Sequence, residues 1–436
     1  MTSTAKKDDS ILSDAGLWMY RFIEELYPIC RSITGEGIRE TLRRIASHVS
    51  INIHEVPTGT PAFDWIIPKE WNIRDAYVKN RAGERIVDFR KSNLHVLNYT
   101  IPFHGMVPLE TLRAHLFALP DKPDWIPYRT SYYKENWGFC VTQRQVESLN
   151  EPEYEVCIDS DLKHGNLSYG ECLIPGNTDE EVILSCHICH PSLCNDNLSG
   201  IALTTWLARY LQKKKSRYSY RFLFLPGTIG AIVWLNRNED LVSKIRHGLV
   251  VACVGDSGKP TYKKSRRGDA EIDRAVQHVL RTRGSEFTVR EFTPYGYDER
   301  QYCSPGFDLP VGSLTRTPHG EYPEYHTSAD DLNFVRPEYL ADSLSIYTDV
   351  IEILERNAIY MNLCPKCEPQ LGKRGIYRAL GGLSDAGDVE MAMLWVLNLS
   401  DGKHSLLDIT EQSDVAFREI HYAAKSLIAH GLLKEA

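Results

Sequence analysis

The sequence predicts an α/β fold: a mixed β-sheet sandwiched by helices, with an inserted β-rich module and a winged-helix-like domain near its C-terminal end. Three observations predict it. From about residue 152, strand-like, loop and helical segments alternate, the rhythm of a sheet covered by helices. Between about 52 and 150 the character differs, because five of the eight tryptophans precede residue 140, among proline-rich turns such as Pro120–Pro127. After Asn357, a short linker beginning at Met361 leads to a compact helical pattern from about 386 to 436.

Taken in order, residues 11 to about 50 read as two helices. Leu12, Leu17, Met19, Phe22, Ile23 and Leu26 form an apolar pattern, Ser32-Ile-Thr-Gly-Glu-Gly37 breaks it, and a second amphipathic stretch runs to Val49. In the module, Asn93–Tyr99 alternates as a strand does. The α/β part offers strands at Val182–Ser185, Arg221–Leu225, Leu249–Val254, Thr288–Phe292 and Val311–Thr315, and helices near Ser199–Gln212, Ala270–Arg283 and Pro337–Arg356. The tail places Val389, Met393, Leu394, Val396 and Leu397 on one short helix, Leu406–Ile409 on a second and Val415–Ile428 on a third, a winged-helix pattern. The domains expected are therefore 1–51 with 152–358, an insert at 52–151, and a tail at 363–436.

At 436 residues the chain exceeds the ~250 residues over which one core usually extends. A net charge of −8 argues against a polyanionic partner, since phosphate binding draws on clustered Lys and Arg. From residue 361 on there are 8 Lys and Arg against 10 Asp and Glu, net −2, whereas a DNA-reading helix is basic. Nucleic acid is not expected as a partner; a small-molecule or peptide-like substrate is, and a homo-oligomer is left open. No stretch approaches the ~18 apolar residues of a membrane span, and the N-terminus lacks the apolar core of a signal peptide. A cytoplasmic location without membrane association is the expectation. The eleven cysteines, an odd number, read as reduced thiols.

The chemistry concentrates in His187-Ile-Cys-His-Pro-Ser-Leu-Cys-Asn-Asp-Asn-Leu-Ser-Gly200. His187 directly follows a strand, and Asp196 sits where the loop turns into a helix, so both side chains can converge above the carboxyl edge of the sheet. A hydrolytic zinc needs two or three fixed N or O ligands and one open position. His326, in Glu324-Tyr-His-Thr-Ser-Ala-Asp-Asp331, is the third candidate.

These residues carry a resemblance. Strand–His187…Asp196-Asn-Leu-Ser-Gly200 with a late Tyr325-His326-Thr327…Asp331 resembles the M28-type zinc aminopeptidases, in particular a bacterial group of polysaccharide biosynthesis proteins with an aminopeptidase-like domain and a C-terminal winged helix. Arg31–Gly37, Phe63-Asp-Trp65, Trp125–Tyr133, Asp298–Pro305 and Glu321–His326 extend it over nearly the whole chain. The resemblance implies a zinc-exopeptidase (phosphorylase/hydrolase-like) sheet, with zinc held by His187, Asp196 and His326. It also exposes departures. Cys189 stands where the parent pattern has a carboxylate that orients the first histidine, Gly227 and Thr228 occupy the places of two adjacent glutamates, and Asp256 is only a shifted substitute for a last aspartate ligand. A mononuclear site is therefore expected.

The proton carrier expected is Glu299, with His190 and Glu324 in reserve. Asp298 and Arg300 are candidates for holding substrate, Arg300 as a carboxylate clamp or as an ion-pair partner of Asp298 or Glu299, and Tyr302 as a donor to an oxyanion. Trp125 and Tyr128–Tyr133 would either wall the cleft or fill the core of the module. Cys364-Pro-Lys-Cys367 lacks the second pair of a zinc ribbon and reads as a turn with free thiols. The resulting expectation is a zinc-dependent amide hydrolase in a biosynthetic pathway; a catalytically degenerate binding protein on the same fold is the alternative.

Overall fold

The computed structural model describes residues 2–132, 134–376 and 388–436; Tyr133 and the expected start of the tail near 386 lie outside them. The chain divides into two units, 1–273 with 286–345, and 274–285 with 346–436.

The first unit is built on an eight-stranded sheet. Its strands are β1 (Asn52–Pro57), β2 (Asn166–Ile174), β3 (Glu181–His187), β4 (Ser219–Leu225), β5 (Ile245–Val251), β6 (Thr261–Lys263), β7 (Thr288–Arg290) and β8 (Val311–Thr315), in the order β1-β2-β4-β3-β5-β8-β6-β7. The central four, β4, β3, β5 and β8, are mutually parallel. Every residue of β3 and β4 is buried, as strands flanked on both sides and covered on both faces must be. The one guanidinium inside β4, Arg221, is therefore paired, with Glu181 at 2.6 and 2.7 Å and with Glu171. Gly248 on β5 answers to crowding: a Cβ there would lie 2.4 Å from Ile183 Cγ2 and 2.7 Å from Val311 Cγ2. Helices Thr2–Leu26, Ser199–Leu211 and Ile229–Arg237 pack with it, the first through Met19, Phe22, Ile23 and Leu26.

The insert holds a four-stranded antiparallel sheet in the order Arg85–Asp88, Glu70–Lys79, Glu153–Lys163, Phe103–Pro108. Its longest strand alternates strictly, with Tyr154, Val156, Ile158 and Ser160 inward. The boundaries differ from those expected at both ends. Asn52–Pro57 pairs with β2 and so belongs to the large sheet, while Glu153–Lys163 pairs with Glu70–Lys79 and belongs to the insert. Asn93–Tyr99 is not a strand: Asn93–His95 closes a single 3-10 turn before the chain extends.

In the second unit, helices Asp388–Leu399, Leu406–Ser413 and Phe417–Ala429 enclose Val396, Leu406, Ile409, Ile420, Ala424 and Leu427. A reciprocal capping box between Ser405 and Asp408 starts the middle helix. A three-stranded sheet of Asp401–Ser405, Ile359–Asn362 and Leu433–Glu435 completes it, so the first two residues read as a linker, Met361 and Asn362, end a strand. All eleven cysteines are free, Cys364 and Cys367 among them. No described helix is long and apolar enough to cross a membrane.

Candidate metal centre

β3 ends on His187 at the carboxyl edge of the parallel strands. The chain then turns through Cys194–Leu198 into the helix Ser199–Leu211, and this loop carries Asp196 back over the strand end. Asp330 fixes the loop by accepting the backbone N–H groups of Asn195 at 2.6 Å and Asp196 at 3.0 Å. Asn197 does the same from within: its Nδ2 reaches the carbonyls of His187 at 3.2 Å and Val251 at 3.1 Å, and its Oδ1 accepts from Cys253 N.

Asp196 is the hub. Its Oδ1 lies 2.8 Å from His187 Nε2, and its Oδ2 lies 3.0 Å from His326 Nε2 and 3.1 Å from His190 Nδ1. Tyr297 donates its hydroxyl to Oδ1 over 3.2 Å, with its ring stacked on His187 at 4.8 Å. Burial opposes charge on the Asp196 carboxyl, but His190, His187 and His326 together hold it well below the usual carboxylate range. Burial also pushes His187 and His326 down, toward the neutral imidazole that ligates metals. The donor set suits a borderline divalent ion: three imidazoles and a carboxylate, of which His187, His190 and Asp196 present ligand atoms all within 4.8 Å of one another.

The surrounding contacts hold the imidazoles in place. The ring of Tyr128 in the insert makes T-shaped contacts with His190 and His326, at 5.2 and 5.0 Å between ring centres, and its backbone N–H donates to His326 O at 2.7 Å. Tyr325 stacks on His326 at 3.9 Å. His326 holds φ at 54°, left-handed for a residue with a Cβ, and those two contacts fix it there. Buried Arg31 donates from Nε to His190 O at 2.7 Å.

His187, Asp196 and His326, named from the sequence, thus lie together, and His190, read as a reserve base, stands among them. Four expectations need correction. Tyr302 does not face the centre: fully buried, it hydrogen-bonds Ser185 Oγ at 2.9 Å beneath the sheet edge. Glu299 is engaged by Lys263 at 2.5 Å and lines a neighbouring cleft, away from the histidines. Arg300 makes no ion pair with Asp298 or Glu299, so of its two expected roles that one is overturned; its Nε is buried without a partner. Asp256 is unavailable as a ligand, because Asn195 Nδ2, Thr317 and Gly258 N take its oxygens.

Asp298 is the unexpected group. It is 1% exposed, and neither carboxyl oxygen has a hydrogen-bond partner. Burial, and then the neighbouring Glu299, pushes it up to about 8. A Cβ at position 227 would lie 2.9 Å from His187 Cβ and 3.7 Å from Asp298 Oδ1. The carboxyl of Asp298 therefore lies within van der Waals contact of the place where a side chain at 227 would begin. Tyr128, read from sequence as either a cleft wall or module core, packs against His190 and His326; Tyr297 and Arg31 were not recognisable as site residues from sequence, since neither carries a local signature.

The family described as "Domain of unknown function (DUF4910)" matches residues 20–357, and one described as "winged helix-turn-helix" matches 358–435. A Clostridium acetobutylicum protein, provisionally named a polysaccharide biosynthesis protein with an aminopeptidase-like domain, is 55% identical over 422 residues, 97% of each chain. A crystal structure of a protein from that organism, provisionally called a peptidase, superposes with a TM-score of 0.94 at 52% identity over 99% of both chains. The zinc aminopeptidase BSAP of Bacillus subtilis gives a TM-score of 0.58 at 12% identity, over 78% of this chain and 94% of that one, a likeness of fold.

Proposed function

Because this chain belongs to the DUF4910 family and is 55% identical to a Clostridium protein provisionally named for an aminopeptidase-like domain, we propose that it is a zinc-dependent hydrolase of an amide bond in a small amino-acid- or peptide-like substrate. The observation that carries the reading is the convergence of His187, His190 and His326 on the single buried carboxylate of Asp196. Asp196, His187 and either His190 or His326 would hold one ion, with the fourth position left for water or substrate. When bound, zinc supplies Lewis acidity, polarising the scissile carbonyl and easing deprotonation of the attacking water.

The rest falls to the chain. Tyr297 fixes the orientation of Asp196. Asp298, beside Gly227, handles the proton in the role expected of Glu299: its carboxylate form takes the proton of the attacking water, and the acid form returns it to the nitrogen as the C–N bond breaks. Burial that favours the neutral acid suits the second half of that cycle. The name of the Clostridium relative supports a biosynthetic setting.

A second reading, a binding protein without turnover, is favoured by the absence of any side chain at Gly227. Hydrolysis of aminoacyl amides by zinc-loaded protein, abolished by chelation and reduced about 10²-fold or more in Asp298→Asn, supports the first. Zinc binding with no turnover of any amide tested supports the second.

A further inference from the structure

Tyr297 has a second face. Beyond it, over one face of β6, β7 and β8, lies a cleft of about 750 Å³ including its mouth, lined by the hydroxyl residues Thr261, Thr293, Ser313 and Thr315 and by the rings of Tyr295, Tyr297 and His319. The geometry points to this cleft as the subsite for a neutral, hydroxyl-rich group of the substrate, a sugar-like ring, next to the amide to be cleaved. The inference rests on the hydrolase reading above for its position beside the reacting centre, and on the cleft alone for its chemistry.

The lining decides the class of ligand. Lys263 Nζ is saturated by Glu299 at 2.5 Å and by the carbonyls of Tyr295 at 2.8 Å and Thr293 at 3.2 Å. Arg290 is held bidentately by Glu321, and the lining residue Glu291 is taken by Lys264 at 2.7 Å. No cation of the lining is free for a phosphate or carboxylate.

What is free is an acceptor. Glu299 is 1% exposed, its Oε1 faces Lys263, and its Oε2 is buried with no partner. A buried acceptor left unmade costs more than the bond is worth, so a donor from the ligand belongs there. Lys263 already neutralises Glu299, leaving no surplus negative charge to offset the desolvation of an ammonium; a hydroxyl or amide N–H fits better. Tyr295, 73% exposed at the rim, lies 5.5 Å from His319, which meets Tyr297 edge-on at 4.7 Å. These rings offer apolar faces to the C–H face of a ring ligand, with polar atoms at its rim.

The full-length protein, stripped of metal so that nothing turns over, is titrated with N-acetylglucosamine, glucosamine and inorganic phosphate, and binding is followed by saturation-transfer NMR. N-acetylglucosamine is expected to bind more tightly than either other probe. Tyr295→Ala, at an exposed position that leaves the fold intact, and Ser313→Ala, inside the cleft, are each expected to weaken it about fivefold to tenfold. Binding that neither variant changes overturns the assignment, as does preferential binding of phosphate or of glucosamine. The hydrolase reading fails separately, through loss of zinc binding or turnover, and neither is measured in this titration.

Discussion

Replacing Asp298 by Asn should cost activity and add stability, with a pH dependence that identifies the cause. Unfolded, the carboxyl titrates near ~3.9; folded, it is raised to about 8 by burial and by Glu299. A raised folded value means its contribution is fully present below the unfolded value and is lost as pH rises toward the folded one. Between pH 5 and 8 the native state therefore gives up about 1.4 kcal/mol per unit through this group. At pH 7 the ceiling is about 4 kcal/mol. Asn is spared that loss but buries an amide without partners, at about 1–3 kcal/mol. The net gain is about 1–3 kcal/mol at pH 7, shrinking or reversing at pH 5. Urea unfolding of the metal-free protein and the variant at pH 5, 7 and 8.5 measures it. A stability difference that stays flat across that range refutes the reasoning, because it would mean Asp298 is charged in the folded state.

Gly248→Ala should lower stability by about 1–3 kcal/mol in the same assay, since its methyl group would press on Ile183 and Val311 between parallel strands. His247, whose folded value burial and then Arg217 and Arg246 depress to about 3, contributes stability above its unfolded value that is lost as pH falls from about 6.5 toward 3. In His247→Gln that loss should be missing, so the gap between wild type and variant narrows on acidification; a gap independent of pH would speak against a buried neutral imidazole. The winged-helix tail, net −2, should show no salt-sensitive DNA affinity tighter than about 10⁻⁴ M in a fluorescence anisotropy titration. Tight, salt-dependent binding would reverse that assignment.

Elements whose pattern is local were readable from the residues. Val311–Thr315 and Pro337–Arg356 have the bounds expected, because a short strand set off by Pro310 and a helical period opened by Pro337 are each complete within one segment. Partner choice was not readable. Asn52–Pro57 and Glu153–Lys163 look alike as strands, and only the register with β2 or with Glu70–Lys79 assigns them to one sheet or the other.

The centre follows the same division. His187, Asp196 and His326 stand out because a strand end, a helix start and a loop histidine each mark themselves. Tyr297, Tyr128 and Arg31 act through contacts made only once the chain has folded. Asp298 and Glu299 are neighbours in sequence and part ways in space, one beside Gly227 and the other on Lys263. Adjacency alone could not say which carboxyl lies beside Gly227.

The central claim is that one ion is held by residues far apart in the chain. A crystal of the purified protein, grown with zinc and measured at the zinc absorption edge, tests it directly. One anomalous peak per chain is expected, about 2.0–2.2 Å from a ring nitrogen of His187 and a carboxylate oxygen of Asp196, with His326 or His190 completing the set. No peak at that position, or a peak at Cys364 and Cys367 instead, would contradict it.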